Sequence, residues 1–280
     1  MLIDYHVHTY YSDDSQTPME TQIQQAISLG LHEICFTDHV DYGIKRDWDD
    51  LCGIEYRKGG PGEPEQMPLA NVNYPKYFEE IEELKKKYAD KIIIHAGLEF
   101  GIQTITIPQY ESLYAKYSDK LDLVLLSVHQ VDNLEFWSQD FQRGKTQEEY
   151  NRRYYEEILK VIKQFKNYDI LAHLDLIKRY DKNGIYPSEN VKDIITEILK
   201  IIIAEDKALE VNTSSWRYGL KDTQPSRDIL KLYKELGGKY ITLGSDAHKP
   251  EYIAFHFEDA ENILVNELGF SKDNLQFNIQ

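Results

Sequence analysis

The chain has 280 residues, enough for one large domain with a substantial core, and its 48 acidic against 32 basic side chains give a formal net charge of −16. That balance excludes a bulk electrostatic grip on long nucleic acid, and no apolar run approaches the roughly 18–20 residues of a membrane span. Two cysteines, Cys35 and Cys52, offer neither a disulfide framework nor zinc-type spacing, and "MLIDYHVHT" lacks the basic and apolar regions of a signal peptide, so a cytoplasmic protein is expected.

Strand-like and helix-like segments then alternate. "LIDYHVH" reads as a strand, followed by the helical "METQIQQAISLG", with Gly30 placed to end it. "LHEICFT" leads into an irregular stretch containing "KGGPGEPEQMP", and the helix "YFEEIEELKKKYA" precedes the strand "KIIIHAGLEF". "PQYESLYAKYS" and "LDLVLLSVH" form the next pair. Thr146 and Glu149 make a capping box at the start of "TQEEYNRRYYEEILKVIKQF", before the strand "DILAHLD". Pro187 and Ser188 open a helix that leads to "ALEVNTS". "PSRDILKLYKELGG", "KYITLGSDAH" and a last helical stretch, "EYIAFHFEDAENILVNELG", complete the pattern.

Seven such units without a composition break predict a single α/β domain over 1–280, a parallel sheet closed or nearly closed into a barrel. A doubly wound open sheet fits less well, because no glycine-rich phosphate turn follows the first strand. The irregular stretch, 41–74, reads as an inserted loop over the mouth of the barrel.

In such a barrel, chemistry gathers at the C-terminal ends of the strands. Six of the nine histidines fall there, on five different strands: His6 and His8, His39, His129, His173, and His248. Asp13, Asp14, Asp38, Glu99, Asp175, Glu210 and Asp246 fall in similar positions. Imidazole with carboxylate and no thiolate suits Zn, Fe or Mn. So many ligands exceed the needs of one tetrahedral ion and imply two or three divalent ions, with Glu99 best placed to bridge them. Multi-ion sites of this kind hydrolyse phosphoesters. His32, His95 and His256 read as structural, and the 21 tyrosines as packing.

"HVHT", "TDH", "GLEF", "SVH", "AHLD" and "SDAH" occur in that order across nearly the whole chain. The set resembles the PHP (polymerase and histidinol phosphatase) superfamily, and "HEICFTDHVD" and "AHLDLIKRY" resemble its L-histidinol-phosphate phosphatase branch. The resemblance implies a distorted seven-stranded (βα)7 barrel with a trinuclear metal centre. One ion would be held by His6, His8, Glu99 and Asp246, and a second by Glu99, His129 and His173. A third would take His39, His248 and either Asp13 or Asp14. The implied activity is phosphomonoester hydrolysis of L-histidinol phosphate in histidine biosynthesis, through a hydroxide that bridges the ions.

Glu99 and Asp246 would then be essential carboxylates, and Asp175 a candidate proton donor to the leaving group. Arg217 and Arg179 are candidates for holding phosphate, with Ser214 and Ser215 as hydroxyl donors. The cationic end of the substrate asks for an acidic wall, for which 41–60 offers Asp41, Asp47, Asp49, Asp50 and Glu55. Rival readings keep the hydrolase and change the substrate to phosphotyrosine or to nucleotides and oligonucleotides, or keep only a non-catalytic metal-binding module.

Overall fold

The computed structural model describes residues 2–50, 52–53, 55–58, 66–275 and 277. Seven parallel strands follow one another around the sheet in chain order. They are β1 (Ile3–Val7), β2 (Glu33–Phe36), β3 (Ile93–Gly101), β4 (Leu123–Ser127), β5 (Ile170–Leu171), β6 (Ala208–Asn212) and β7 (Ile241–Gly244). A short piece, His39–Val40, continues beside β3 and sets His39 in register with Glu99. The ring nearly closes where Val7 bridges Ala247, with His8 N–H donating to Ala247 O at 2.9 Å and Asp246 N–H to His6 O at 2.8 Å. The structure is thus a distorted (βα)7 barrel.

Two apolar sets fill it. Tyr5, Cys35, Leu123, Leu125, Ile170, Ala172 and Ala208 form a small cluster separate from the main core. On β3 the residues alternate: Ile94, Ala96, Leu98 and Phe100 join the main core, while His95 and Glu99 take the other face. β1 breaks this alternation, because its register with β2 shifts between Asp4 and Val7. Tyr5 therefore joins the small cluster while the next residue, His6, turns toward Glu99 at the mouth. Sequence periodicity alone pairs His6 with His8 but does not anticipate Tyr5 beside them.

The outer layer is α1 (Met19–Ser28), α2 (Tyr74–Lys87), α3 (Ile107–Tyr117), α4 (Gln147–Gln164), α5 (Lys192–Ala204), α6 (Arg227–Glu235) and α7 (Phe257–Asn262). The capping box of α4 forms, with Thr146 N–H donating to Glu149 Oε2 at 2.7 Å and Glu149 N–H to Thr146 Oγ1 at 3.3 Å. Gly30, at φ +76°, ends α1. None of the helices is long and apolar enough to cross a membrane, among the described residues.

The last unit departs from the expected continuous helix. Ala254 and His256 adopt left-handed backbone angles (φ 53° and 55°), and only then does α7 begin, running into a π turn at Ile263–Glu267. The cause is the buried Asp4, whose carboxylate accepts from both Ser245 N–H (2.9 Å) and Ala254 N–H (3.0 Å) and ties this segment to β1. Residues 41–74 contain an antiparallel hairpin, Glu55–Lys58 with Gln66–Leu69, and 59–65 lie outside the described residues. His32, His95 and His256 lie outside the strand-end cluster: His95 pairs with Glu33 at 2.6 Å, and His256 caps α7 beside Asp259.

The start of the 41–74 stretch is fastened from below by Tyr110. Its buried hydroxyl lies 2.7 Å from Val40 O and 3.0 Å from Gly101 O, and accepts Tyr42 N–H at 3.1 Å. Tyr110→Phe strips partners from buried backbone groups and should cost about 1–2 kcal/mol, read as a lower denaturant midpoint with an unchanged slope.

Candidate metal centre

Glu99 sits near the end of β3 with no exposure to water, and five imidazoles face it. His129 Nε2 lies 3.0 Å and His173 Nε2 2.8 Å from Oε1. His39 Nδ1, His6 Nε2 and His8 Nε2 lie 2.9, 3.3 and 3.6 Å from Oε2. Asp246 closes the far side, with Oδ1 3.4 Å from His8 Nε2 and 3.9 Å from His6 Nε2. Asp14 Oδ2 reaches His248 Nε2 at 3.1 Å and His39 Nε2 at 3.6 Å. Asp13, its neighbour, turns instead to Lys45 at 2.6 Å. Nine of the ten expected ligands thus converge, and of the aspartate pair it is Asp14 that does so.

The donor set fits divalent ions on this structure's own terms. His6 Nε2, His8 Nε2, His39 Nδ1, His248 Nε2 and Glu99 Oε2 are buried close to one another or to Asp14 and Asp246, yet none of these contacts has the alignment of a hydrogen bond, which is costly unless something binds them. Ligands about 2.1 Å from a tetrahedral ion stand about 3.4 Å apart, close to the separations from Glu99 to His6 and from His8 to Asp246. His6, His8 and Glu99 form one such triad, Glu99, His129 and His173 another, and His8, His39 and His248 a third. Six carboxylates (Glu99, Asp246, Asp14, Asp13, Asp41, Glu210) stand against two fixed cations, Lys45 and Arg179; the remaining charge falls to protonated imidazoles or to divalent cations that would replace their protons.

Burial opposes ionisation at Glu99, His129 and His8, and neighbours decide the outcome. Burial would raise Glu99, but His129, His6 and His39 hold it well below the usual carboxylate range. Burial disfavours the His129 cation, yet Glu99 and Asp41 push its pKa up to about 9. His8 is the exception: burial, with His248 and His39 close by, holds it well below the ordinary imidazole value.

A supporting shell orients the rings. Glu210 Oε1 meets His6 Nδ1 at 2.6 Å, and its Oε2 accepts His173 N–H at 2.8 Å. Asp41 Oδ1 meets His129 Nδ1 at 2.8 Å. Asp38 accepts from Thr9 N–H (2.7 Å), Thr9 Oγ1 (2.9 Å) and Ser12 Oγ (2.6 Å), holding the turn after β1. Sequence reasoning marks Glu210 only as a polar strand-end residue and gives Asp41 to an acidic wall; the available signal for Glu210 is a carboxylate inside an otherwise apolar strand. Lys45 carries no such signal and is missed.

The cluster floors a cavity of about 1020 Å³. Of the two arginines, Arg179 lines it; Arg217 does not, donating instead to the carbonyls of Ser245 and Asp246, both at 2.8 Å. Arg179 Nη2 donates to Ser214 Oγ (2.5 Å), Gln224 Oε1 (3.0 Å) and Asp246 Oδ2 (3.4 Å), its guanidinium stacks 4.0 Å over the Tyr218 ring, and its buried Nε–H lacks a partner. Ser214 and Ser215 are buried outside the cavity lining, Ser214 bonded to Asp246. Asp175 is likewise outside it, paired with Lys178 Nζ at 2.8 Å and accepting Ser226 N–H at 3.0 Å.

The expected acidic wall is mostly absent from the cavity. Asp47 and Asp49 line a separate pocket, Asp50 pairs with Arg46, and the Glu55 side chain lies outside the described residues. Among the described members of that group only Asp41 reaches the mouth. Glu135 and the two-thirds-exposed Trp137 line it as well, carried by the hairpin Gln130–Val131 and Leu134–Glu135.

Similarity to known proteins agrees with this geometry. A model of the PHP domain matches residues 4–214. A histidinol-phosphatase of Lactococcus lactis is 33% identical over 278 residues, 96% of this chain and 91% of that protein. The crystal structure of a histidinol phosphate phosphatase from Lactococcus lactis, complexed with zinc, L-histidinol and phosphate, aligns with TM-score 0.78 at 32% identity, covering 96% of this chain and 94% of that one. Metal-dependent tyrosine phosphatases from Bacillus subtilis and Streptococcus pneumoniae align at TM-score 0.51 and 16% identity, which shows a shared fold alone.

Stripping metal should leave the carboxylates of the cluster with only the surrounding imidazoles, Lys45 and Arg179 as counter-charges. The chelator-treated protein is expected to melt several degrees lower, and zinc titrated back should restore the midpoint, as followed by calorimetry.

Proposed function

The chain belongs to the PHP domain family, and we propose that it is a metal-dependent phosphomonoesterase converting L-histidinol phosphate to L-histidinol and inorganic phosphate. The observation that carries this reading is the convergence of six imidazoles with Glu99, Asp246 and Asp14 on the floor of a cavity edged by an arginine. The 33% identity to a histidinol-phosphatase across 96% of the chain supports the substrate. Histidine biosynthesis follows from that activity.

Two or three divalent ions would be held by His6, His8, Glu99 and Asp246, by Glu99, His129 and His173, and by His39, His248 and Asp14. Zinc is favoured, as in the Lactococcus lactis relative. Ions in such a cluster make water nucleophilic and neutralise phosphoryl oxygens. The chain itself supplies orientation and charge. Glu210 and Asp41 fix the His6 and His129 rings with their second nitrogens turned inward. Arg179, braced by Ser214, Gln224 and Tyr218, keeps Nε–H for a phosphoryl oxygen. Arg217 grips the backbone at Ser245 and Asp246, which supports the left-handed turn (φ 54°) that aims the Asp246 carboxylate inward. At the outer wall, Glu135 and Trp137 offer a carboxylate and an aromatic face to the cationic amine and imidazole of the substrate. The start of the inserted segment, with Asp41, Ile44 and Lys45 in the cavity wall, supports its reading as a cover for the mouth.

Inorganic phosphate release from L-histidinol phosphate, measured beside phosphotyrosine and a dinucleotide, should show strong preference for the first; activity confined to the others would overturn the substrate. Glu99→Gln should cut turnover by orders of magnitude with the fold retained, and near-normal turnover would sink its bridging role. Arg179→Ala is expected to weaken phosphate binding about 10-fold or more, seen as a raised inhibition constant for inorganic phosphate.

A further inference from the structure

Lys45 is a cation enclosed by the metal centre's own carboxylates. Its side chain is only 12% exposed, and Nζ lies 2.9 Å from Asp41 Oδ2 and 2.6 Å from Asp13 Oδ1. These carboxylates come from different parts of the chain, and each leads to a different side of the cluster. Asp41 passes through its other oxygen to His129 Nδ1 at 2.8 Å, and His129 Nε2 faces Glu99 at 3.0 Å. Asp13 is the neighbour of Asp14, which meets His248 and His39. Without an ammonium between them, the buried Asp41 and the half-buried Asp13 would push apart, and both arms of the cluster would move with them.

We propose that Lys45 is a positioning residue of the metal centre: its ammonium pins Asp41 against His129 and the Asp13–Asp14 turn against His39 and His248, and so sets how tightly the outer ions are held. Lysine suits this task because its compact charge can serve two carboxylates of different origin at once. Lys45 also stands on the inserted segment, so one contact ties the wall of the mouth to the ligands on its floor. A second consequence follows: ion binding and the seating of that segment are coupled, each favouring the other. The proposal rests on the metal-dependent reading of the site but not on the identity of the substrate.

The test is a zinc titration of stripped wild-type protein, Lys45→Met and Lys45→Arg, with ions counted per chain and the rate of loss to a chelator recorded. Lys45→Met should hold its weakest ion about 10–100-fold less tightly and lose it faster. Its turnover should recover as free zinc is raised, with KM little changed. Lys45→Arg, which keeps the cation, should recover most of the affinity. A Lys45→Met protein that binds the same number of ions with wild-type affinity overturns the proposal, whatever its activity. Should Lys45→Met not fold, Lys45→Gln is titrated in its place and judged by the same criterion. Wild-type protein inactive on L-histidinol phosphate, with zinc affinity still dependent on Lys45, would remove the substrate and leave this role standing.

Discussion

A carboxylate sealed from water needs compensation, and Glu99 finds it in five imidazoles brought from four other parts of the barrel wall. β1 supplies His6 and His8, the piece after β2 supplies His39, and the ends of β4 and β5 supply His129 and His173. No two adjacent strands could do this alone. The sheet must curl until its strand ends point at one spot, and barrel closure and the compensation of this single charge are therefore one geometric requirement.

Room for that convergence comes from residues that are absent as much as from those present. A Cβ at Gly101 would lie 2.0 Å from Asp41 Oδ1, and one at Gly244 would lie 2.1 Å from Glu210 Oε1. Two strands end on glycine where a supporting carboxylate needs the space to reach its histidine. The backbone is strained elsewhere, with His173 and Asp246 both at positive φ (23° and 54°), conformations that surrounding contacts hold in place at a site where side-chain direction matters more than local comfort.

The alternation of strands and helices was legible because it depends on local apolar periodicity. The converging cluster was legible because histidines gathered at the ends of five strands would be costly to bury together without a metal to bind them. What the sequence hid were relations between distant residues. Asp13 and Asp14 are chemically equal neighbours, and only Lys45, 32 positions further along the chain from Asp13, separates them. Arg179 and Arg217 look alike in sequence, yet one stacks on Tyr218 at the cavity while the other is bonded to backbone carbonyls. Asp175 sits at a strand end like a ligand, but a lysine three residues on claims it. Of the acidic residues in 41–60, Asp41 lines one cavity and Asp47 and Asp49 another, a division that composition does not encode.

The barrel's seam carries a consequence for how such a protein is made. Strands β1 and β7 meet at Val7 and Ala247, and the proposed centre straddles that join, with His6 and His8 on one side and Asp246 and His248 on the other. A chain made from its N-terminal side presents His6 and His8 long before Asp246 and His248. Until then any ion caught by the nascent units sits in an open, incomplete site and exchanges with its surroundings. The pairing of β7 with β1 also joins residues very far apart in sequence, and contacts of that kind form slowly. In the proposed centre, final occupancy would therefore be decided only once the seam between β1 and β7 has formed.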